Sequence, residues 1–157
     1  MQTDLKKIDP KEVQRLRTET SAGVMDCKRA LEDANGDYEK AKVLIKQRGL
    51  EKVAKKSERE ANQGVVASYI HSGGRIGALI ELSSETDFVA RGDEFQKLAQ
   101  EIAMQVAAMS PKDVDELLAQ AYIRDASKTI KDLVTTLAAS VGENVQVRRF
   151  QRFALGE

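Results

Sequence analysis

The chain has 157 residues, of which 41% are apolar and 32% charged, with 25 basic and 25 acidic side chains and a formal net charge of zero. That length holds one ordinary domain or two small ones, and the balanced charge gives no global field for nucleic acid or an anionic membrane. No stretch approaches the roughly 20 apolar residues that a membrane span requires. Residues 1–7 have no apolar core of the signal-peptide kind, so a cytoplasmic location is expected. Cys27 is the only cysteine. An intramolecular disulfide is therefore excluded, and on a helix among apolar neighbours the thiol reads as a small buried hydrophobe.

The first third reads as helices. Asp9-Pro10-Lys11-Glu12 starts one, with Asp9 as cap, Pro10 at the first helical position and Glu12 where a capping box puts its acid. Ile8 and Val13 are spaced for a hydrophobic staple, and the helix should stop near Thr18-Glu19-Thr20. After the tight connection Ser21-Ala22-Gly23, a second helix places Val24, Cys27, Leu31 and Ala34 on one face. Only one of Val24 and Met25 can comfortably face inward; the other is a spare surface group or a contact point. Asn35-Gly36-Asp37 ends this helix, and Asp37 caps a third. The third turns Ala41, Leu44 and Ile45 inward and should end at Gly49, with Leu50 packing back on it. Residues 1–50 thus form a three-helix module. Residues 51–63 are polar and mixed in sign, a partly helical linker and domain boundary in which Lys55 and Lys56 read as a solvated face.

Residues 64–157 read as a second, α+β domain. Residues 64–71 and 76–83 are strands, joined by the hairpin signal Ser72-Gly73-Gly74-Arg75. His71, the only histidine, lacks partners at metal-ligand spacing. Next comes Glu85-Thr86-Asp87-Phe88-Val89-Ala90-Arg91, where Phe88 lies on no periodic apolar face. Either the ring is a plug under the following helix, with Asp87 as a local cap, or it is an exposed wedge with Asp87 beside it. Asp93 opens a long amphipathic helix carrying Phe95, Leu98, Ile102, Val106 and Met109, with Gln96 at the capping-box position. Ser110-Pro111 stops it and starts a short helix with Val114, Leu117 and Leu118. Ser127 is expected to cap a further one, which Gly142 closes.

Residues 145–155 then form a strand with apolar side chains in both phases: Val145, Val147, Phe153 and Leu155 against Phe150. Its arginines, Arg148, Arg149 and Arg152, can bind anions, protect an edge or pair with acids. A two-stranded hairpin is marginal alone, so this strand should join it in a three-stranded antiparallel sheet with helices on one face. The other face then needs a cover, and the simplest is a second copy of the chain. No phosphate loop, catalytic triad or zinc pattern is present, so no catalytic residue, metal site or cofactor is expected and the chain reads as one that works by binding.

Three segments carry a resemblance. Ala22-Gly23-Val24-Met25-Asp26-Cys27-Lys28-Arg29-Ala30-Leu31, the segment from Glu85 to Arg91, and Val141-Gly142-Glu143-Asn144 followed by Arg148-Arg149-Phe150 together resemble the motifs of the elongation factor Ts family. That resemblance implies a ubiquitin-associated-like fold for the helical module. It also implies guanine-nucleotide exchange on elongation factor Tu, in its GDP-bound and nucleotide-free forms, during translation. Asp87 and Phe88 would be the wedge that disturbs the partner's magnesium and phosphate groups, with Thr86 and Val89 positioning it. Arg17, Val24, Met25 and Lys56 would dock on the partner's G domain; the family usually has Met where this chain has Val24. Longer members carry a second sheet or a helical hairpin where this chain has only residues 110–126. A homodimer through the core sheet is therefore expected, non-covalent because Gln151 and no cysteine lies in the last strand.

Overall fold

The structure, a computed structural model, describes residues 8–157. The expectation for residues 1–7 lies outside the described residues. The chain divides between Lys55 and Lys56 into two compact units.

The first unit is built from α1 (Pro10–Thr20), α2 (Val24–Asp33) and α3 (Tyr38–Lys56), whose last residue opens the second unit. Local chemistry sets the boundaries. The Asp9 carboxylate accepts from the Lys11 N–H at 2.8 Å with Pro10 at the first helical position. Gly36, at φ 79°, donates its N–H to the Leu31 carbonyl at 2.8 Å and turns the chain out of α2. The Asp37 carboxylate accepts from the Lys40 N–H and so caps α3. Leu16, Cys27, Ala30, Leu31, Ala34 and Ala41 form the buried centre, with Ile8, Val13 and Tyr38 packed against it. Burial pushes the Cys27 thiol above its ordinary pKa, which suits the small-hydrophobe reading.

Gly49 does not end α3, which runs on to Lys56. A helical glycine costs about 1 kcal/mol relative to alanine, but Glu51, Lys52, Ala54 and Lys55 after it all favour helix. Two ion pairs also tie this stretch to α2, Lys52 to Asp26 at 2.9 Å and Arg48 to Asp33. Leu50 is exposed and does not pack back.

The second unit continues with β1 (Gln63–Ile70), β2 (Ile76–Ser84), α4 (Asp87–Ala90), α5 (Asp93–Met109), α6 (Val114–Ala119), β3 (Ala121–Tyr122), β4 (Asp125–Thr129), α7 (Ile130–Val141) and β5 (Gln146–Ala154). The sheet is antiparallel throughout in the order β1-β2-β5, the α+β arrangement that the alternation predicts. Gly73 and Gly74, at φ 88° and 69°, make the hairpin turn. Ala67, Ile80 and Phe150 are aligned across the three strands. On that face Ala67, Ala78, Ile80, Leu82 and Val147 are buried, as are Phe95, Leu98, Ile102 and Val106 of α5. The opposite face carries Val66, Ile70, Leu79, Phe153 and Leu155, all exposed.

The mixed phases of the last strand have a specific cause. Glu81 faces Arg149 but its neighbour Leu82 faces Val147, so Arg148 is an extra residue, a β-bulge. The bulge lets Val147 and Phe150 share the inner face while Phe153 and Leu155 point outward. All three arginines are engaged internally: Arg148 donates to the Ala61 carbonyl, Arg149 pairs with Glu81 at 2.7 Å, and Arg152 pairs with Glu157 and donates to the Ala107 carbonyl.

Two expectations about helix starts are corrected. Thr129, not Ser127, caps α7, in a full capping box with Asp132; Ser127 instead lies in β4 of a small β3–β4 hairpin. Gln96 makes no capping box, because its amide reaches back to the Ala90 carbonyl at 2.6 Å.

Candidate functional site

The segment between β2 and α5 is one turn of helix, α4, and its start is built entirely from short polar contacts. Thr86 is in extended conformation, and its hydroxyl accepts from the Val89 N–H at 3.3 Å. Threonine thus fills the capping role, not Asp87. The same hydroxyl donates to Oε1 of Glu143 at 2.7 Å. Oε2 of Glu143 accepts the backbone N–H groups of Glu85 and Thr86, each at 3.1 Å. Glu85 returns the favour, its Oε1 accepting the Asn144 N–H at 2.7 Å. The buried Ser84 hydroxyl donates to the Thr86 carbonyl at 2.9 Å. At the far end the Gly92 N–H donates to Val89, and Gln96 holds Ala90, whose side chain is buried.

Phe88 sits on this braced turn and is 85% exposed, more than any other large apolar side chain among the described residues. The plug reading is therefore overturned. A helix of one turn has only one side to bury, and Ala90 and the half-buried Val89 take it. Asp87 and Arg91, one turn apart, pair at 3.0 Å beside the ring. Both are well exposed, so the pair adds little stability, but it keeps a carboxylate close to the ring.

A second set of contacts fixes the backbone that precedes β1. Asn144 Nδ2 donates to the carbonyls of Ser57 and Arg59, at 3.2 and 2.7 Å. Gln146 Nε2 also donates to Ser57, at 3.0 Å, and Arg148 donates to Ala61 at 3.1 Å. Lys56 Nζ donates to the Gly142 carbonyl at 2.6 Å, and Arg59 lies 3.7 Å from Glu85. Residues 56–61 are thus pinned along the C-terminal motif.

The structure brings Asp87, Phe88 and Val89 together on α4, with Thr86 as its N-cap. In the helical unit Arg17 is exposed in the last turn of α1, and Val24 and Met25 open α2, 46% and 57% exposed. Neither faces inward, because Cys27, Ala30 and Leu31 fill the inner side of α2. Lys56 is half-buried, with one N–H engaged at Gly142. Sequence reasoning gave Glu143 no part in the site, although a signal was present. An acid directly after a helix C-terminus meets the negative end of the helix dipole, so it needs donors from elsewhere. Among the described residues no group of three or more His, Cys, Asp or Glu side chains could hold a metal ion, and no helix is long and apolar enough to cross a membrane.

Residues 85–157 match the family profile described as Elongation factor TS. Relatives align along nearly the whole chain. The chloroplastic elongation factor Ts of Guillardia theta is 43% identical over 197 residues, covering 96% of this chain and 90% of the relative. Elongation factor Ts of Thermoanaerobacter sp. (strain X514) is 43% identical over 195 residues, covering 96% of each. That of Carboxydothermus hydrogenoformans is 43% identical over 190 residues, covering 92% of this chain and 88% of the relative. Each alignment is longer than the 157 residues of this chain, so these relatives carry residues that it lacks. With such identity sustained from the helical unit through the last strand, the chain belongs to the elongation factor Ts family.

Proposed function

We propose that this chain is a guanine-nucleotide exchange factor that binds GDP-bound elongation factor Tu, releases GDP and lets GTP replace it. Family membership implies the exchange role in translation; the observation that supports the wedge is Phe88, held in solvent on a turn braced at both ends. A large ring exposed to water on a rigid support is costly to keep there, and insertion into a partner recovers that cost. Asp87 enters beside it. Its carboxylate repels the nucleotide phosphates and competes for the groups that hold magnesium, while Thr86 and Val89 hold the turn's shape.

Arg17, Val24 and Met25 dock on the partner's G domain, and Lys56 can offer a further N–H there. The energetics are those of linkage. A factor that binds the nucleotide-free partner more tightly than the GDP-bound one must weaken GDP by the same ratio, about tenfold for each 1.4 kcal/mol of difference. No bond is made or broken, so the mechanism needs no nucleophile, acid or base.

The exposed outer sheet face supports the second part of the proposal, a non-covalent homodimer packed sheet on sheet through Val66, Ile70, Leu79, Phe153 and Leu155. The experiment is release of labelled GDP from elongation factor Tu with and without the chain. Acceleration that falls sharply in Asp87→Ala and Phe88→Ala is expected; variants as active as the parent would sink the wedge. For the dimer, a monomer mass in light scattering at micromolar concentration would overturn it.

A further inference from the structure

One carboxylate outside α4 takes the donors at its start. Glu143 lies 57 residues from Thr86 in sequence, yet its two oxygens take three donors from Glu85 and Thr86 at 2.7–3.1 Å. These donors are two N–H groups leading into α4 and the hydroxyl that caps it. At a helix start such N–H groups have no partner within the helix, and an ionised acceptor makes the stronger hydrogen bonds. Thr86 is the hinge of this arrangement, because the hydroxyl that donates to Glu143 also accepts from Val89. Glu143 is itself fixed, since Gly142 before it accepts from Lys56 and the Asn144 N–H after it bonds Glu85.

We propose that Glu143 is a positioning residue for nucleotide exchange: it sets the direction in which the Phe88 ring projects and keeps it from wandering before the partner arrives. The exchange role itself rests on the reading above. The turn is only four residues long, too short to be helical on its own propensity. Without Glu143 the turn frays, and the ring spends only a fraction of its time in the productive direction. A partner that needs that direction then responds in proportion to the fraction. Initial docking through the helical unit does not depend on it.

The test combines kinetics with a spectroscopic reporter. Glu143→Ala is expected to lower the maximal rate of GDP release at saturating factor by about tenfold, with the half-saturating concentration changed by less than about threefold. Glu143→Gln keeps an oxygen for the two backbone N–H groups and turns an NH2 toward the Thr86 hydroxyl, so it restores most of the rate. Thr86→Val keeps the backbone bonds but removes the hydroxyl, and it gives a smaller loss of the same kind. The chain has no tryptophan, so Phe88→Trp supplies a lone tryptophan in the free protein, excited at the red edge where the tyrosines do not absorb. Its anisotropy should fall when Glu143→Ala is added, below the melting temperature of both chains, and recover with Glu143→Gln.

A folded Glu143→Ala chain with the parent's maximal rate and anisotropy overturns the inference, as does a glutamine variant no better than alanine. If Glu143→Ala does not fold, a Thr86→Val chain with parental rate and anisotropy overturns it equally. Should the parent itself release no nucleotide, the exchange reading falls, while the anisotropy series still decides the positioning.

Discussion

Two places in this molecule hold apolar side chains in water, and they are built in opposite ways. The outer face of the sheet is broad: Val66, Ile70, Leu79, Phe153 and Leu155 lie on neighbouring strands, each between 47% and 71% exposed. They stand on ladders of backbone hydrogen bonds interrupted only by the bulge at Arg148, and the Glu81–Arg149 pair is the only charge pair across β2 and β5 among the described residues. Phe88 is single and more exposed, flanked by Asp87 and Arg91, on a turn that has no ladder and is held by side chains. A flat apolar face is satisfied by another flat surface, whereas a lone ring with charges beside it suits a pocket. On the proposal above, area would serve assembly in the first place and direction would serve exchange in the second.

Mutations can break or sharpen that contrast. The largest effect is expected from Phe153→Glu, which would set a carboxylate into the outer face twice over in the proposed twofold dimer. Self-association should weaken by about a hundredfold or more, read as a shift from dimer to monomer in sedimentation, and an unchanged mass would remove the face from the interface. Phe88→Ala should cost about tenfold or more in stimulated GDP release. Its thermal stability should stay within about 0.5 kcal/mol of the parent, because an exposed ring contributes little to folding. A large loss of stability would mean that the ring packs at home.

Thr129→Ala removes the capping box of α7, the helix that leads to Gly142 and Glu143. It should lower stability by about 1 kcal/mol in denaturant titration, with sheet assembly untouched. The smallest effect concerns pH. Burial, reinforced by the bond to Glu101, pushes the Tyr122 phenol up to about 12 from an ordinary value near 10. A raised folded pKa gives stability that is complete below pH 10 and is lost as the pH climbs toward 12. The parent should therefore lose more stability between pH 9 and 11.5 than Tyr122→Phe does, and parallel losses would refute this.

Much of the fold was legible because its signals are local. The Asp9-Pro10 start, the paired glycines of the hairpin and the three- and four-residue steps of α5 each declare themselves within a few residues. Phe88 was also conspicuous as a candidate, since a ring off any apolar period stands out. Most of what could not be read depends on distant partners. The extension of α3 past Gly49 shows that one glycine is outweighed by the helix-favouring residues after it, with the exposed Lys52–Asp26 pair to α2 adding a little. The bulge at Arg148 exists only in relation to Glu81 and Leu82. The brace on α4 links Glu143 to the Thr86 hydroxyl and to two backbone N–H groups; the acid after a helix end hints that donors are needed, but nothing in the sequence says which backbone, 57 residues away, supplies them. Even whether the Phe88 ring is buried or exposed depends on Ala90 and Val89 filling the buried side of its turn.

The pinned stretch at residues 56–61 has a further consequence. A protease must draw its substrate out into an extended strand whose carbonyls are available to the cleft. Here the carbonyls of Ser57, Arg59 and Ala61 are held by Asn144, Gln146 and Arg148. A segment with the composition of a scissile tether should therefore resist nicking for as long as β5 stays in place. Limited digestion would then report the integrity of the C-terminal strand from a distance of some 85 residues in sequence.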